Sequence, residues 1–138
     1  MKNSHGEARR WLVQAESDFH FATLGLERGF YAQCCFLCQQ ATEKAMKALH
    51  YHGGARLAIG HSVARLCAAA ARYRPEFADK ARRWNLLDGY YIPTRYPNGL
   101  PDSIPAEVYT RDAAESAVIL AQEAVAWVGD LLDQTRTG

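Results

Sequence analysis

Apolar residues recur at three-and-four spacing along most of this chain, on a background unusually rich in alanine. Ala8, Trp11, Leu12, Ala15, Phe19 and Ala22 share one face if the backbone is helical, and so do Cys34, Cys38, Ala41, Ala45 and Leu49. A third stripe runs through Ala113, Ala117, Leu120, Ala124, Trp127 and Leu131. Twenty-three alanines stand against four isoleucines and six valines, a balance that favours helix over sheet. The spacing predicts an all-α fold, an up-and-down bundle of about five helices.

Punctuation places the helices. The first starts near Ser4, read as its N-cap, and runs to about Glu27, with Gly29 ending it. The second covers about 31–51 and stops at Gly53-Gly54. Ser62 caps a third helix through Val63, Leu66, Cys67 and Ala70 to about Tyr73, and Pro75 suits the first turn of a fourth reaching Leu87 or Gly89. From Ile92 to Pro105 four prolines (Pro93, Pro97, Pro101 and Pro105) remove amide donors and break the helical period, predicting a long proline-rich loop before the last helix. A loop of that length in a small domain is more often functional than a short one. Thr110 caps the last helix, with Asp112 in its first turn.

A length of 138 residues reads as a single domain over 1–138, large enough to bury a core without staples. No apolar run approaches the 18 or so residues of a membrane helix, and no secretory signal pattern opens the sequence, so a soluble cytoplasmic protein without membrane contact is expected. Cys34, Cys35 and Cys38 crowd one helix and Cys67 stands apart. Neighbouring helical cysteines do not readily reach disulfide geometry, and no second pair offers zinc spacing. They read as core thiols, with neither metal nor cofactor expected.

The net charge of +1 conceals a gradient. Residues 1–100 carry 14 Lys+Arg and 8 Asp+Glu, giving +6, whereas residues 101–138 carry 2 and 7, giving −5. Twelve of the sixteen cations are arginine, the better fork for phosphate or carboxylate. A solvated acidic face explains the gradient; so does a basic side that attracts an anion or an acidic partner.

Two clusters carry chemistry. In the second helix Gln40, Glu43 and Lys47 share one face, as a solvated stripe with a supporting Glu43–Lys47 pair or as the polar wall of a ligand groove. The second cluster is the run 87–99, where Asp88, Tyr91, Arg95 and Tyr96 meet at a helix end and the start of the proline-rich loop. Arginine forks to phosphate and tyrosine stacks bases. Alternatively Asp88 pairs with Arg95 and the tyrosines plug the bundle end.

The ordered words Trp11, Ala15 and Asp18, Tyr31 to Phe36 continuing through Gln39 to Leu49, Gly60-His61-Ser62, Leu87-Asp88 with Tyr91 to Pro97, and Tyr109-Thr110 cover almost the whole chain. In that order and spacing the sequence resembles the HEPN family (higher eukaryote and prokaryote nucleotide-binding), in its small stand-alone bacterial and archaeal branch. The resemblance implies a helical bundle that usually forms a homodimer, with ligand or RNA contacts near the dimer seam. It also implies, for many relatives, a minimal nucleotidyltransferase encoded nearby in a toxin–antitoxin-like pair. Other relatives are metal-independent RNases whose signature is an arginine followed four to six residues later by a histidine.

Arg95 occupies the family arginine's place, but no histidine occurs after His61. The spacing from Arg56 to His61 fits the signature in the wrong loop and reads as coincidence, while His5, His20, His50 and His52 read as surface or tail residues. The expected function is therefore a non-catalytic module that binds a nucleotide, RNA or a nucleotidyltransferase partner through Gln40, Glu43, Lys47, His61, Asp88, Tyr91, Arg95 and Tyr96. Its enzyme-class alternative is a weak RNase using Arg95 and His61. A third reading is a homodimeric scaffold packed through Trp127 and Leu131.

Overall fold

The computed structural model describes residues 3–137, with side chains through 134, and every long element in it is helical. Helix α2 (Tyr31–His52) is the centre of the bundle: it buries fourteen of its 22 residues, whereas α1 (Ser4–Arg28) buries five of 25. Helices α1 and α6 (Arg111–Thr137) flank it. Alanine and cysteine form most of their shared surface, and small side chains let helix axes approach to about 8 Å. Helices α3 (Val63–Ala71) and α4 (Phe77–Trp84) pack on each other and continue into a 3₁₀ segment, Asn85–Tyr90.

The observed ends correct several boundaries. Asn3, not Ser4, caps α1, its side-chain oxygen accepting the Gly6 N–H at 2.9 Å. Gly29 terminates α1 as expected: at φ +85° it is left-handed, and Phe30 N–H closes onto Gly25 O at 2.8 Å. Pro75 lies in the turn before α4 rather than inside it, and α3 ends at Ala71, before Tyr73. Ser62 and Thr110 cap as read, accepting from Arg65 N–H and Ala113 N–H. The proline-rich stretch, read as a loop without helical period, contains a 3₁₀ turn at Pro97–Gly99 and a single helical turn, α5, at Pro105–Val108. Proline opens both, because its fixed φ suits a first helical turn and its missing N–H is not needed there.

Trp127 is half-buried and packs within the chain. It lies 4.6 Å from Phe77 and 5.9 Å from Trp84 between ring centroids, with the Lys80 ammonium 4.9 Å above it, and Leu131 is buried. Three of the acidic residues beyond position 100 are paired: Glu115 with Arg111, Glu123 with Arg83 and Asp133 with Arg9. All four cysteines are free and buried. No helix among the described residues is long and apolar enough to cross a membrane.

Candidate functional site

Three pieces of chain build the site: the middle of α2, the loop into α3, and the 3₁₀ segment running into the proline-rich stretch. Asp88 fixes the last two together. Its Oδ1 accepts Val63 N–H at 2.8 Å and its Oδ2 accepts Ala64 N–H at 3.0 Å and the Ser62 hydroxyl at 3.1 Å. A carboxylate on the first amides of a helix satisfies orphan donors and complements the positive helix end. Both oxygens are thereby taken, and the buried Gln39 amide adds a longer bond at 3.4 Å. Asp88, counted among the ligand-binding candidates, therefore holds the site's frame. It makes no ion pair with Arg95 among the described residues, so the Asp88–Arg95 alternative is not the arrangement found.

Arg95 stands exposed on an aromatic cradle. Its guanidinium carbon is 4.6 Å from the Phe36 and Tyr91 ring centroids and 5.1 Å from that of Tyr96. Its Nε donates to Tyr91 O at 2.7 Å, and the neighbouring Thr94 hydroxyl bonds Tyr90 O. Burial pushes the Tyr90 and Tyr109 hydroxyls up from their ordinary pKa, and their rings meet edge to face at 5.9 Å. Those two tyrosines do plug the bundle; Tyr91 and Tyr96 do not. The two terminal nitrogens of Arg95 have no carboxylate partner among the described residues, and they form a rigid fork suited to a phosphate.

His61 reaches the same platform within one chain. Its ring stacks on Tyr91 at 4.9 Å and 18°, and its Nδ1 is 3.4 Å from Glu43 Oε1. The His61 side chain is 60% exposed, whereas that of Glu43 is 4%. Glu43 Oε2 accepts from Lys47 Nζ at 3.0 Å, and Gln40 donates to Gln39 at 2.8 Å and to Glu43 at 3.4 Å. Gln39 in turn donates to His61 O at 2.8 Å. The Glu43–Lys47 pair is thus buried, not a solvated stripe: α1 covers it with Trp11, whose ring lies 5.4 Å under the Lys47 ammonium. His50, read as a surface residue, is half-buried and bonded at both ring nitrogens. Its Nε2 donates to Leu66 O at 2.9 Å, so its Nδ1 accepts the Tyr73 hydroxyl at 3.1 Å.

The structure gathers Gln40, Glu43, His61, Tyr91, Arg95 and Tyr96 at one place, with Lys47 behind Glu43 and Asp88 beneath. Sequence reasoning left out Phe36 as a platform and Gln39 as the tie to the His61 backbone. Phe36 lies one turn before Gln40 and seven residues before Glu43, on the face already singled out, so the signal was there. Gln39 had none, because its role depends on where the α3 loop returns.

The HEPN domain family model matches residues 8–131, which include all of these side chains. The chain belongs to the HEPN domain family. Among solved structures, TT1696 from Thermus thermophilus is 43% identical with a TM-score of 0.82, over 89% of this chain and 96% of that one. ST0689, an archaeal HEPN homologue, is 32% identical with a TM-score of 0.75, over 96% and 99%. A HEPN domain protein from Thermotoga maritima, TM0613, is 31% identical with a TM-score of 0.64, over 90% and 98%. No curated protein matches the chain. This HEPN domain therefore has the all-α architecture of its bacterial and archaeal relatives, with the Arg95 block held at the junction of the 3₁₀ segment and the proline-rich stretch.

Proposed function

We propose that this HEPN domain binds the phosphate of a nucleotide or RNA through Arg95, with Tyr96 and His61 offering stacking surface, Glu43 fixing the His61 ring and Gln40 holding Glu43. One observation carries the reading: an exposed arginine fork, held by three aromatic rings and a backbone carbonyl, has no acidic partner among the described residues. Such an arginine has already lost much of its side-chain freedom, so an anion binds without that ordering cost. The test is a titration of labelled RNA and nucleotides against wild type and Arg95→Ala. Equal affinity for both proteins would refute the site.

The module acts in this reading as a homodimer. Phe21, Leu24, Phe30, Phe36 and Leu37 line an apolar cavity of about 460 Å³ beside α1 and α2, and Phe21 and Phe30 are 63% and 57% exposed. Exposed patches of this kind mark association sites. Phe36 belongs both to that face and to the Arg95 cradle, which supports a second copy seated beside the site. A nucleotidyltransferase partner in a toxin–antitoxin-like pair belongs to the same reading, and co-expression with a neighbouring nucleotidyltransferase followed by co-purification tests it.

The second reading, metal-independent RNA cleavage, is favoured by the position of His61. Its Nδ1 faces the buried Glu43 carboxylate, which orients the ring and leaves Nε2 toward solvent. In that reading Nε2 takes the 2′-hydroxyl proton, the 2′-oxygen attacks the adjacent phosphorus, and the leaving 5′-oxygen receives the proton back. Arg95 stabilises the developing phosphate charge. Cleavage by wild type that disappears in His61→Ala supports it, and intact RNA at high protein excess rejects it.

A further inference from the structure

The hydrogen bonds beneath the Arg95 platform have a direction set by the backbone, and they leave one side-chain atom without a partner. The backbone amides of Val63 and Ala64 can only donate, so both Asp88 oxygens accept there. The His61 carbonyl likewise can only accept. The Gln39 amide bonds His61 O at 2.8 Å and Asp88 Oδ1 at 3.4 Å, and it must present its nitrogen to both. Its Oε1 is thereby turned to Gln40, whose Nε2 lies at 2.8 Å. The second Gln40 N–H goes to Glu43 Oε1 at 3.4 Å. Both Gln40 donors are spent, and a flipped amide would set its oxygen against two other oxygens. Gln40 Oε1 is left as an acceptor with no donor among the described residues, and it is open to solvent rather than sealed in the core.

That acceptor sits between the two ends of the platform. Phe36, whose ring centroid is 4.6 Å from the Arg95 guanidinium, lies one turn before Gln40 on α2, about 6 Å at helical rise. Glu43, which faces His61, lies just after Gln40 on the same side of the helix. Tyr91 touches both ends, with Arg95 at 4.6 Å and the stacked His61 ring at 4.9 Å. A phosphate fork, a stacking surface and an amide oxygen of fixed direction therefore lie side by side, matching the phosphate, face and edge of a single nucleotide. Such an acceptor sorts bases by what they carry at one edge. The exocyclic amino group of adenine or cytosine donates to it, whereas the carbonyl in the same place on hypoxanthine or uracil sets oxygen against oxygen.

Resting on the binding function proposed above, we infer that Gln40 is a specificity-determining residue and that the nucleotide taken at Arg95 carries an amino-bearing base, adenine or cytosine, in preference to a base with a carbonyl at that position. The test is an NMR titration of isotope-labelled protein with adenosine, inosine, cytidine and uridine monophosphates. Each pair, adenosine with inosine and cytidine with uridine, exchanges an amino group for a carbonyl on the same ring and keeps the phosphate. Wild type is expected to bind the amino member of each pair about 5-fold or more tighter, the discrimination of roughly one hydrogen bond. Gln40→Met, checked for an unchanged helical spectrum and melting temperature, keeps the side-chain length but removes the acceptor, and both ratios are expected to fall to about 1. Loss of the Gln40–Glu43 bond alone would shift all four affinities together and leave the ratios in place. Arg95→Ala is expected to weaken all four. Ratios near 1 in wild type, with binding still lost in Arg95→Ala, overturn base selection while leaving the phosphate site standing, and they do so whether or not Gln40→Met folds. Ratios that persist in folded Gln40→Met overturn the role of Gln40. Four affinities untouched by Arg95→Ala, or no binding by wild type, overturn the phosphate site and the base selection with it.

Discussion

The Glu43–Lys47 pair gives the sharpest energetic test, because solvated and buried versions of the same i,i+4 pair differ by an order of magnitude. On an open helix face such a pair contributes about 0.3–0.5 kcal/mol. Here Nζ and Oε2 are 3.0 Å apart and the two side chains are 7% and 4% exposed, under Trp11. Removing one partner leaves the other charge buried and uncompensated, which typically costs about 3–5 kcal/mol, a large part of a small domain's total stability. Glu43→Leu and Lys47→Met are each expected to lose that much. The double variant leaves no orphan charge and is expected to lose far less than the sum, mainly the bonds Glu43 makes to Gln40 and His61. Urea unfolding of all four proteins, followed by circular dichroism, closes the double-mutant cycle. Single-variant losses below about 1 kcal/mol, or additive losses, would show that water reaches the pair and would refute the buried polar wall on which His61 rests.

Asp88→Ala removes the acceptor for two backbone amides, the Ser62 hydroxyl and Gln39, and should cost about 2–4 kcal/mol in the same assay. A loss no larger than that of an exposed Asp112→Ala control would contradict the frame role. Phe21→Ser with Phe30→Ser should convert the protein from dimer to monomer in sedimentation, with helical content unchanged; a wild type that is already monomeric rejects the apolar seam. Burial pushes the Cys35 and Cys67 thiols from an ordinary 9.0 up to about 12. Between those values the unfolded chain has lost protons that the folded chain keeps, so stability is full below pH 9 and falls as pH rises above it. The expected loss is about 1 kcal/mol per thiol from pH 9 to 10, approaching about 1.4 kcal/mol per pH unit above that. Stability that is flat from about pH 8 to 10.5, or rapid native-state alkylation of all four thiols at about pH 8, would contradict their burial.

The long helices were legible because nothing competes with their periodicity: the stripes of α1, α2 and α6 are long, and Gly29, Ser62 and Thr110 act locally as caps. The misplacements fall where a local signal had a near equivalent. Ser4 and Asn3 are adjacent capping residues, and Pro75 is as compatible with the turn before α4 as with its first turn. In the site, Arg95, Tyr91 and Tyr96 were legible because their neighbours in sequence are also their neighbours in space. His61 beside Tyr91, Asp88 capping α3, and the burial of Glu43 and Lys47 were not, because each depends on which element returns to cover α2. Periodicity shows that residues share a face but not what lies over it, so a buried ion pair and a solvated stripe have the same sequence pattern.

Everything proposed for this site rests on Arg95, cradled by Phe36, Tyr91 and Tyr96, being a preformed phosphate fork. The most direct measurement is RNA and nucleotide binding by wild type, Arg95→Ala and Arg95→Lys at one fixed ionic strength. A preformed fork predicts a loss of about tenfold or more in Arg95→Ala and only partial recovery in Arg95→Lys, which restores the charge but not the planar fork or its stacking. Affinity unchanged by Arg95→Ala, or fully restored by lysine, would contradict it.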